Sequence, residues 1–219
     1  MIKKIRNVKI IGTGSYAPEQ IYTNEYICTF VDSQPDWIYN TLGIKQRHIA
    51  DKNECTSDLA SKAAIDAIKN ANLDITDENG HTIGVAMGSG IGGIKTIEKN
   101  HNKLLVAGPR KVSPFFIPAS IINMTSGQAS IMQHITGPNL SIVTACATST
   151  HCIGIAARSI EHGDAEVMLA GGSEHSTTPL AVAGFCAARA MTTRNDDPTG
   201  ASRPYDIDRD GFVLSNGAG

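Results

Sequence analysis

Residues 141–154, SIVTACATSTHCIG, place Cys146 and Cys152 six positions apart, with His151 between them. A thiolate nucleophile, a pair of metal ligands and a packed junction could each use these residue types. The apolar run from Leu140 to Ala145 reads as a buried strand. From Ala147 the small residues, then Ile153, Ala156, Ala157 and Ile160, read as a helix, ending at His162 with Gly163 in the C′ position. Cys146 then falls at the strand-to-helix turn. Free amides and the helix dipole there favour a thiolate and can face a developing oxyanion. An ordinary thiol, with a pKa of about 8.5, is little ionised at neutral pH, so a modest downward shift multiplies its reactive fraction. On geometry alone, a small buried hydrophobe accounts for Cys146 equally well. Cys152 sits inside the helix and reads as packing. Cys146, His151 and Cys152 point in different helical directions, which argues against a metal site and makes His151 a poor base for Cys146. Cys28, Cys55 and Cys186 show no partner pattern.

Such a turn has to be held by the elements around it. Four runs read as strands: VKIIGTG, TIGVAMGSG, LSIVTA and AEVMLAGGSE. Between them, TSDLASKAAIDAIKNANL reads as a helix with Ser57 as a possible N-cap and an apolar stripe of Ala60, Ala64, Ala67, Ile68 and Ala71. IKTIEKNHNKLL and PASIINMTSGQASIMQHI also have helical spacing, the latter stopping at Gly137-Pro138. Strands alternating with helices, without hairpin signals, predict an α/β fold with a mostly parallel sheet, in one domain.

Composition narrows the function classes. Of 219 residues, 41% are hydrophobic and 18% charged, with a formal net charge of −2, which offers no footprint for nucleic acid or an anionic membrane. Five cysteines are odd in number and too few for a disulfide scaffold. The opening MIKKIRNVKIIGTGSYAP has no secretory h-region, and no apolar stretch is long enough to span a bilayer. A cytoplasmic location is the expectation.

Three further motifs carry chemistry in other settings. GSGIGG, residues 88–93, fits G-x-G-x-x-G after a strand, as a dinucleotide loop would. About twenty residues on, where a ribose-binding acid belongs, the chain reads AGPRKVSP instead. DIDRDG, residues 206–211, copies the start of a calcium loop, but its twelfth position is Gly217, so a polar turn is the better reading. GPRK, residues 108–111, is a compact basic spot, either a solvated loop or a docking point for an acidic partner.

From about Asn72 onward the chain resembles the β-ketoacyl-[acyl-carrier-protein] synthases, most closely the type II condensing enzymes of bacterial fatty acid synthesis. The resemblance rests on IGVAMGSGIGG, GPRKVSPFFIPASIINM, GPNLSIVTACATSTHCIG, DAEVMLAGGSEHSTTPL, GFCAARAMTTRNDDP and SRPYDIDRDGFVLSNGAG, in the family's order. Residues 1–71, with VKIIGTGSYAPEQIYTNEYI and DWIYNTLGIKQRHIA, resemble instead the type III enzymes that begin synthesis from acyl-CoA. In that family the stretch around Trp37 helps hold coenzyme A, with an arginine where this chain has Thr41.

The resemblance implies a thiolase-like fold, a duplicated five-layer αβαβα arrangement of which residues 1–219 are the first half. It makes Cys146 of TACATS the nucleophile, with its own N–H as half of an oxyanion hole. Ile91, Phe116 and Phe185 match positions that line the acyl pocket, Ile91 standing where a bulky side chain goes with chain-length preference. Arg110 and Lys111 match a basic docking spot for acidic acyl-carrier protein. The implied reaction is decarboxylative condensation of a cysteine-bound acyl group with malonyl-carrier protein. Its substrates ride on phosphopantetheine, so no metal or nucleotide cofactor is implied, and relatives form homodimers. The family's second half carries two catalytic histidines, a lysine and a glycine-rich phenylalanine gate, and none of the seven histidines here lies in such a segment. The expectation is therefore an incomplete synthase; the alternatives are a non-catalytic carrier-protein interaction module and, more remotely, a nucleotide-binding oxidoreductase.

Overall fold

A computed structural model describes residues 6–29, 34–42, 46–49, 56–197, 200–214 and 216–219. Cys55 and the side chain of Thr41 lie outside that description. In chain order the elements are β1 (Gln20–Thr23), α1 (Asn24–Ile27), α2 (Pro35–Leu42), β2 (Gln46–Ile49), α3 (Thr56–Asn70), β3 (Ile83–Gly88) and α4 (Ile94–Ala107). They continue with α5 (Met124–Met132), β4 (Asn139–Leu140), α6 (Thr148–His162), β5 (Val167–Glu174), α7 (Pro179–Ala187) and β6 (Gly217–Ala218). The described residues of Met1–Tyr16, Cys55–Ser176 and Asn216–Gly219 form one compact unit, and those of Ala17–Glu54 and Thr177–Ser215 a second.

The first unit is built on a sheet of order β4-β3-β5-β6. β3 runs parallel to both β4 and β5, and β6 runs antiparallel to β5. β3 is an inner strand, and all six of its residues are buried, as expected when both faces of a parallel sheet are covered. Alternation along β3 sorts the core into two clusters. Ile83, Val85 and Met87 pack with Ala60 of α3, Ala129 of α5 and Ile135. Ala86, on the other face, packs with Cys152 and Ala156 of α6, joined by Ile142, Met168 and Ala170. The buried positions of α6, namely Thr148, Cys152, Ala156 and Ser159, recur at helical spacing and define its sheet-facing stripe. That helix ends where expected: Gly163 takes the left-handed conformation at φ 81° and donates back to Ile160 O.

Several expected elements come out differently. VKIIGTG is not a buried strand. Its Val8, Ile10 and Ile11 are exposed, and the segment lies along α3, with Thr13 N–H donating to Asn70 Oδ1 and Ser15 N–H to Asp66 Oδ2. Helix side chains thus take the donors that a sheet ladder would have used. LSIVTA keeps only Leu140 in a strand, and residues 141–144 leave the ladder. The helix expected over residues 118–135 is regular only in α5, preceded by turns and ended before His134, whose φ is 53°. Ser57 is inside α3 rather than at its cap, since the helix already includes Thr56.

In the second unit β1 and β2 form a four-residue antiparallel ladder, from Gln20↔Ile49 to Thr23↔Gln46, which no hairpin signal announced because α1 and α2 intervene. Thr23 caps α1 by accepting from Tyr26 N–H, and Thr178 caps α7 by accepting from Ala181 N–H, with Pro179 at the first helical position. The calcium-like residues 206–211 form the expected polar turn. Asp206 pairs with Arg203 at 3.0 Å, and Asp210 accepts from Thr192 Oγ1 at 2.8 Å and from Arg194 Nε at 3.4 Å.

Candidate active site

Cys146 sits in a short 3-10 turn, Ala145–Ala147, between the extended residues after β4 and the first turn of α6. Its side chain is exposed. The preceding residue, Ala145, has φ 51°, a left-handed conformation that costs a residue with a Cβ about 1 kcal/mol or more. This is the sharp, strained geometry that lifts a nucleophile clear of a sheet. The turn is tied at both ends. Thr144 N–H donates to Thr148 Oγ1 at 3.0 Å, Ala147 N–H donates to Thr144 O at 3.1 Å, and Thr144 Oγ1 lies 2.7 Å from His151 Nδ1. His151 is thereby engaged with Thr144. Among the described residues, no hydrogen bond occupies the Cys146 N–H.

Two glycines let the turn approach the sheet this closely. Gly88 and Gly172 are register partners on β3 and β5. A Cβ on Gly88 would collide with the Ile142 carbonyl and stand 2.7 Å from Thr148 Cγ2, and one on Gly172 would collide with Ser149 Oγ. Cys152, six residues after Cys146, is fully buried against Ala86, and burial pushes its thiol pKa up. The two cysteines of one helix end thus occupy opposite environments.

The 88–93 loop lies beside the cysteine turn. A Cβ on Gly90 would stand 3.5 Å from Ala145 O and 2.9 Å from Glu174 Oε2. Glu174, the last residue of β5, accepts from Ser89 Oγ at 3.1 Å and from Ile91 N–H at 2.8 Å, and Gly92 N–H donates to Ser89 Oγ at 3.2 Å. Gly93 N–H and Ile94 N–H are taken by Ser120 O and Gly92 O. A carboxylate inside the loop, with the amides of residues 91–94 already used, is the opposite of what a pyrophosphate needs.

Gly90, the neighbour of Ile91, is thus brought next to the turn that bears Cys146, and Ile91 itself is exposed. Phe116 is half-buried in the turns between α4 and α5, where its N–H donates to Ser113 O. Arg110 and Lys111 are exposed on a 3-10 turn, Pro109–Lys111, at the end of α4. Phe185 belongs to α7 in the second unit and meets Phe212 edge to face, with ring centroids 5.1 Å apart. Glu174, Thr144 and Thr148 stand out by no motif in the sequence. The available signal for Glu174 was an acid closing the apolar run VMLAGGSE, where a strand end faces a glycine loop.

The family model for the β-ketoacyl synthase N-terminal domain matches residues 6–219. The chain belongs to the β-ketoacyl synthase family, and the match takes in the N-terminal segment as well as the cysteine turn. Similar curated proteins include the 3-oxoacyl-[acyl-carrier-protein] synthase 2 of Vibrio cholerae, 57% identical over 157 residues, covering 72% of this chain and 38% of that protein. That of Staphylococcus aureus is 45% identical over 199 residues, covering 87% and 48%. The chain therefore spans less than half the length of these curated relatives. Among solved structures, a β-ketoacyl synthase from Burkholderia phymatum is similar with a TM-score of 0.72 at 26% identity, over 95% of this chain and 56% of that one. A type II PKS ketosynthase in complex with its acyl-carrier protein, bound to the hexaketide, shares the fold with a TM-score of 0.76 at 24% identity, over 95% and 55%. The fold is the thiolase-like fold of the ketosynthases, of which this chain covers about half.

Proposed function

We propose that these 219 residues are the acyl-accepting half of a β-ketoacyl-[acyl-carrier-protein] synthase of fatty acid biosynthesis, an acyltransferase with Cys146 as nucleophile. The observation that carries the reading is the placement of Cys146: exposed, preceded by a left-handed Ala145, at the entrance to α6. The thiolate of Cys146 attacks the carbonyl carbon of an acyl-phosphopantetheine thioester, and the π pair moves onto oxygen. The Cys146 N–H, which has no partner among the described residues, is placed to donate to that oxyanion. Collapse re-forms the carbonyl and breaks the old C–S bond. The pantetheine sulfur leaves and takes up a proton, and the acyl group stays on Cys146. The carbanion formed when malonyl-carrier protein loses carbon dioxide then attacks the acyl carbon; the new C–C bond forms, the C–S bond to Cys146 breaks, its thiolate is released, and the chain is longer by two carbons. No metal or nucleotide cofactor enters this scheme.

Within this proposal Ile91, Phe116 and Phe185 line the acyl pocket, and Arg110 and Lys111 receive the acidic carrier protein. The related ketosynthase seen with its carrier protein supports that partner. A homodimer is supported by the exposed apolar side chains Leu105 and Val106 at the end of α4 and Phe115 and Ile117 after it. Among the described residues no helix is long and apolar enough to cross a membrane, and a cytoplasmic site of action fits the proposed pathway. The domain reading is likewise a proposal: one ketosynthase N-terminal half over residues 1–219, with a type III-like part up to residue 71 and a type II-like part from residue 72.

Incubation with acyl-carrier protein loaded with an acyl chain, followed by intact mass and peptide mapping, tests the reading. One acyl adduct is expected on Cys146, absent in Cys146→Ala. A folded chain that stays unmodified overturns it. Condensation with malonyl-carrier protein is not expected from these residues alone, because none of their histidines lies in the family's catalytic segments.

A further inference from the structure

Residues 89–92 of the loop are held mainly from one side chain, that of Glu174. Ser89, 2% exposed, donates its hydroxyl to one Glu174 oxygen at 3.1 Å, and the Ile91 amide is 2.8 Å from the other oxygen of the same group. Gly92 N–H closes the loop on Ser89 Oγ, so two direct bonds and one relayed bond converge on Glu174. Bonds to a charged acceptor are about twice as strong as neutral ones. Glu174 is itself anchored, pairing with Gly217 at the end of β5, and strand-borne groups hold position better than loop-borne ones. Ile91, in contrast, is 39% exposed, so packing alone does not decide where its side chain projects. Its backbone position is set by the bond to Glu174. Gly90 lies between that carboxylate and the carbonyl of Ala145, which leads directly into Cys146. A shift of the loop therefore changes the space beside the turn that carries Cys146.

We propose that Glu174 is a positioning residue that, by holding the Ile91 amide, sets the length of acyl chain that Cys146 accepts. The proposal rests on the reading of Cys146 as acyl acceptor and Ile91 as part of the acyl pocket. Glu174 touches no substrate in this scheme and acts through Ile91. A loop anchor with no such role would lower stability without changing the order of preference among acyl groups.

The test uses hexanoyl, decanoyl and tetradecanoyl thioesters of pantetheine with the full chain, reading the rate of adduct formation on Cys146 by intact mass. Glu174→Ala should change the hexanoyl-to-tetradecanoyl rate ratio by about fivefold or more, the weight of one hydrogen bond. Glu174→Gln, which keeps one carbonyl oxygen for the Ile91 amide, should restore the ratio in part and provides the measurement if the alanine variant does not fold. In an Ile91→Ala background the same Glu174 substitutions should leave the ratio within about twofold, since residues acting through one another are not additive. An unchanged ratio in both Glu174 variants, with adduct still forming on Cys146, overturns the proposal and leaves the acceptor reading intact. So does an additive effect in the double variant. No adduct on wild-type Cys146 removes the acceptor reading, and this inference falls with it.

Discussion

Gly88 and Gly172 face each other across β3 and β5, and together their bare Cα atoms make the floor on which the turn of Cys146 rests. The two clashes that a Cβ would create differ in kind. At Gly88 the obstacle is backbone, the carbonyl of Ile142, whereas at Gly172 it is the Ser149 hydroxyl, which can rotate away. Gly88→Ala should therefore destabilise the chain by roughly 1–3 kcal/mol, the usual cost of overpacking, and Gly172→Ala by less. Urea unfolding of the two variants beside wild type checks the order. Equal losses would show that the turn yields as easily as a side chain.

Cys146, in the turn before α6, and Cys152, inside α6, should react very differently. Iodoacetamide should label Cys146, which is exposed, while Cys152, fully buried with its thiol pKa raised, stays unmodified until the chain unfolds. Peptide mapping after timed labelling reads both sites. Cys152→Ala should cost roughly 0.5–1.5 kcal/mol, on the scale of deleting one methyl-sized group from a core.

His175 follows Glu174 and makes stability depend on pH. Burial lowers its pKa below the ordinary 6.5, and the charge of Lys95 lowers it further, against a smaller upward pull from Glu174. The unfolded chain then binds a proton at a higher pH than the folded one. The contribution is complete above pH 6.5 and is lost as pH falls below it toward the folded pKa. Melting temperature should drop between pH 7 and pH 5, and His175→Asn should flatten that part of the curve. A variant with an unaltered slope would assign the dependence to other groups.

If Arg110 and Lys111 receive an acidic carrier protein, reversing both charges should slow adduct formation from acyl-carrier protein by about tenfold at low salt. The difference should shrink as salt rises, because exposed charges act on association rate and are screened over roughly 8–10 Å. Rates measured across a salt series check this. A deficit that persists unchanged at high salt would speak for a packing fault.

Much of this architecture was legible in the chain. Ile83 to Gly88 read as a buried strand because a central parallel strand is apolar on both faces, and the stripe of α3 read as a helix because Ala60 and Ala64 recur at its period. Cys152 read as packing and is packed. VKIIGTG misled because apolar β-prone residues mark a strand only when a neighbouring strand takes their hydrogen bonds; here the N–H of Thr13, and that of Ser15 just beyond, go to Asn70 and Asp66 of α3. LSIVTA was overextended for a related reason: the close approach of residues 142–148 to Gly88 pulls the chain out of the ladder after Leu140.

What the amino-acid order settled by itself was local: a cysteine at the turn into a helix that Gly163 closes, and the alternation of strands and helices that builds a parallel sheet. Whether the sulfur faced solvent or the core could not be read from it, since a small apolar residue and a nucleophile look alike in one dimension. Tertiary contact decided that, by forcing Ala145 into a left-handed bend over two glycines. It also recruited Glu174, eighty-three residues from Ile91, to the same loop. Pairings at that separation depend on strand register, and register exists only once the sheet has formed.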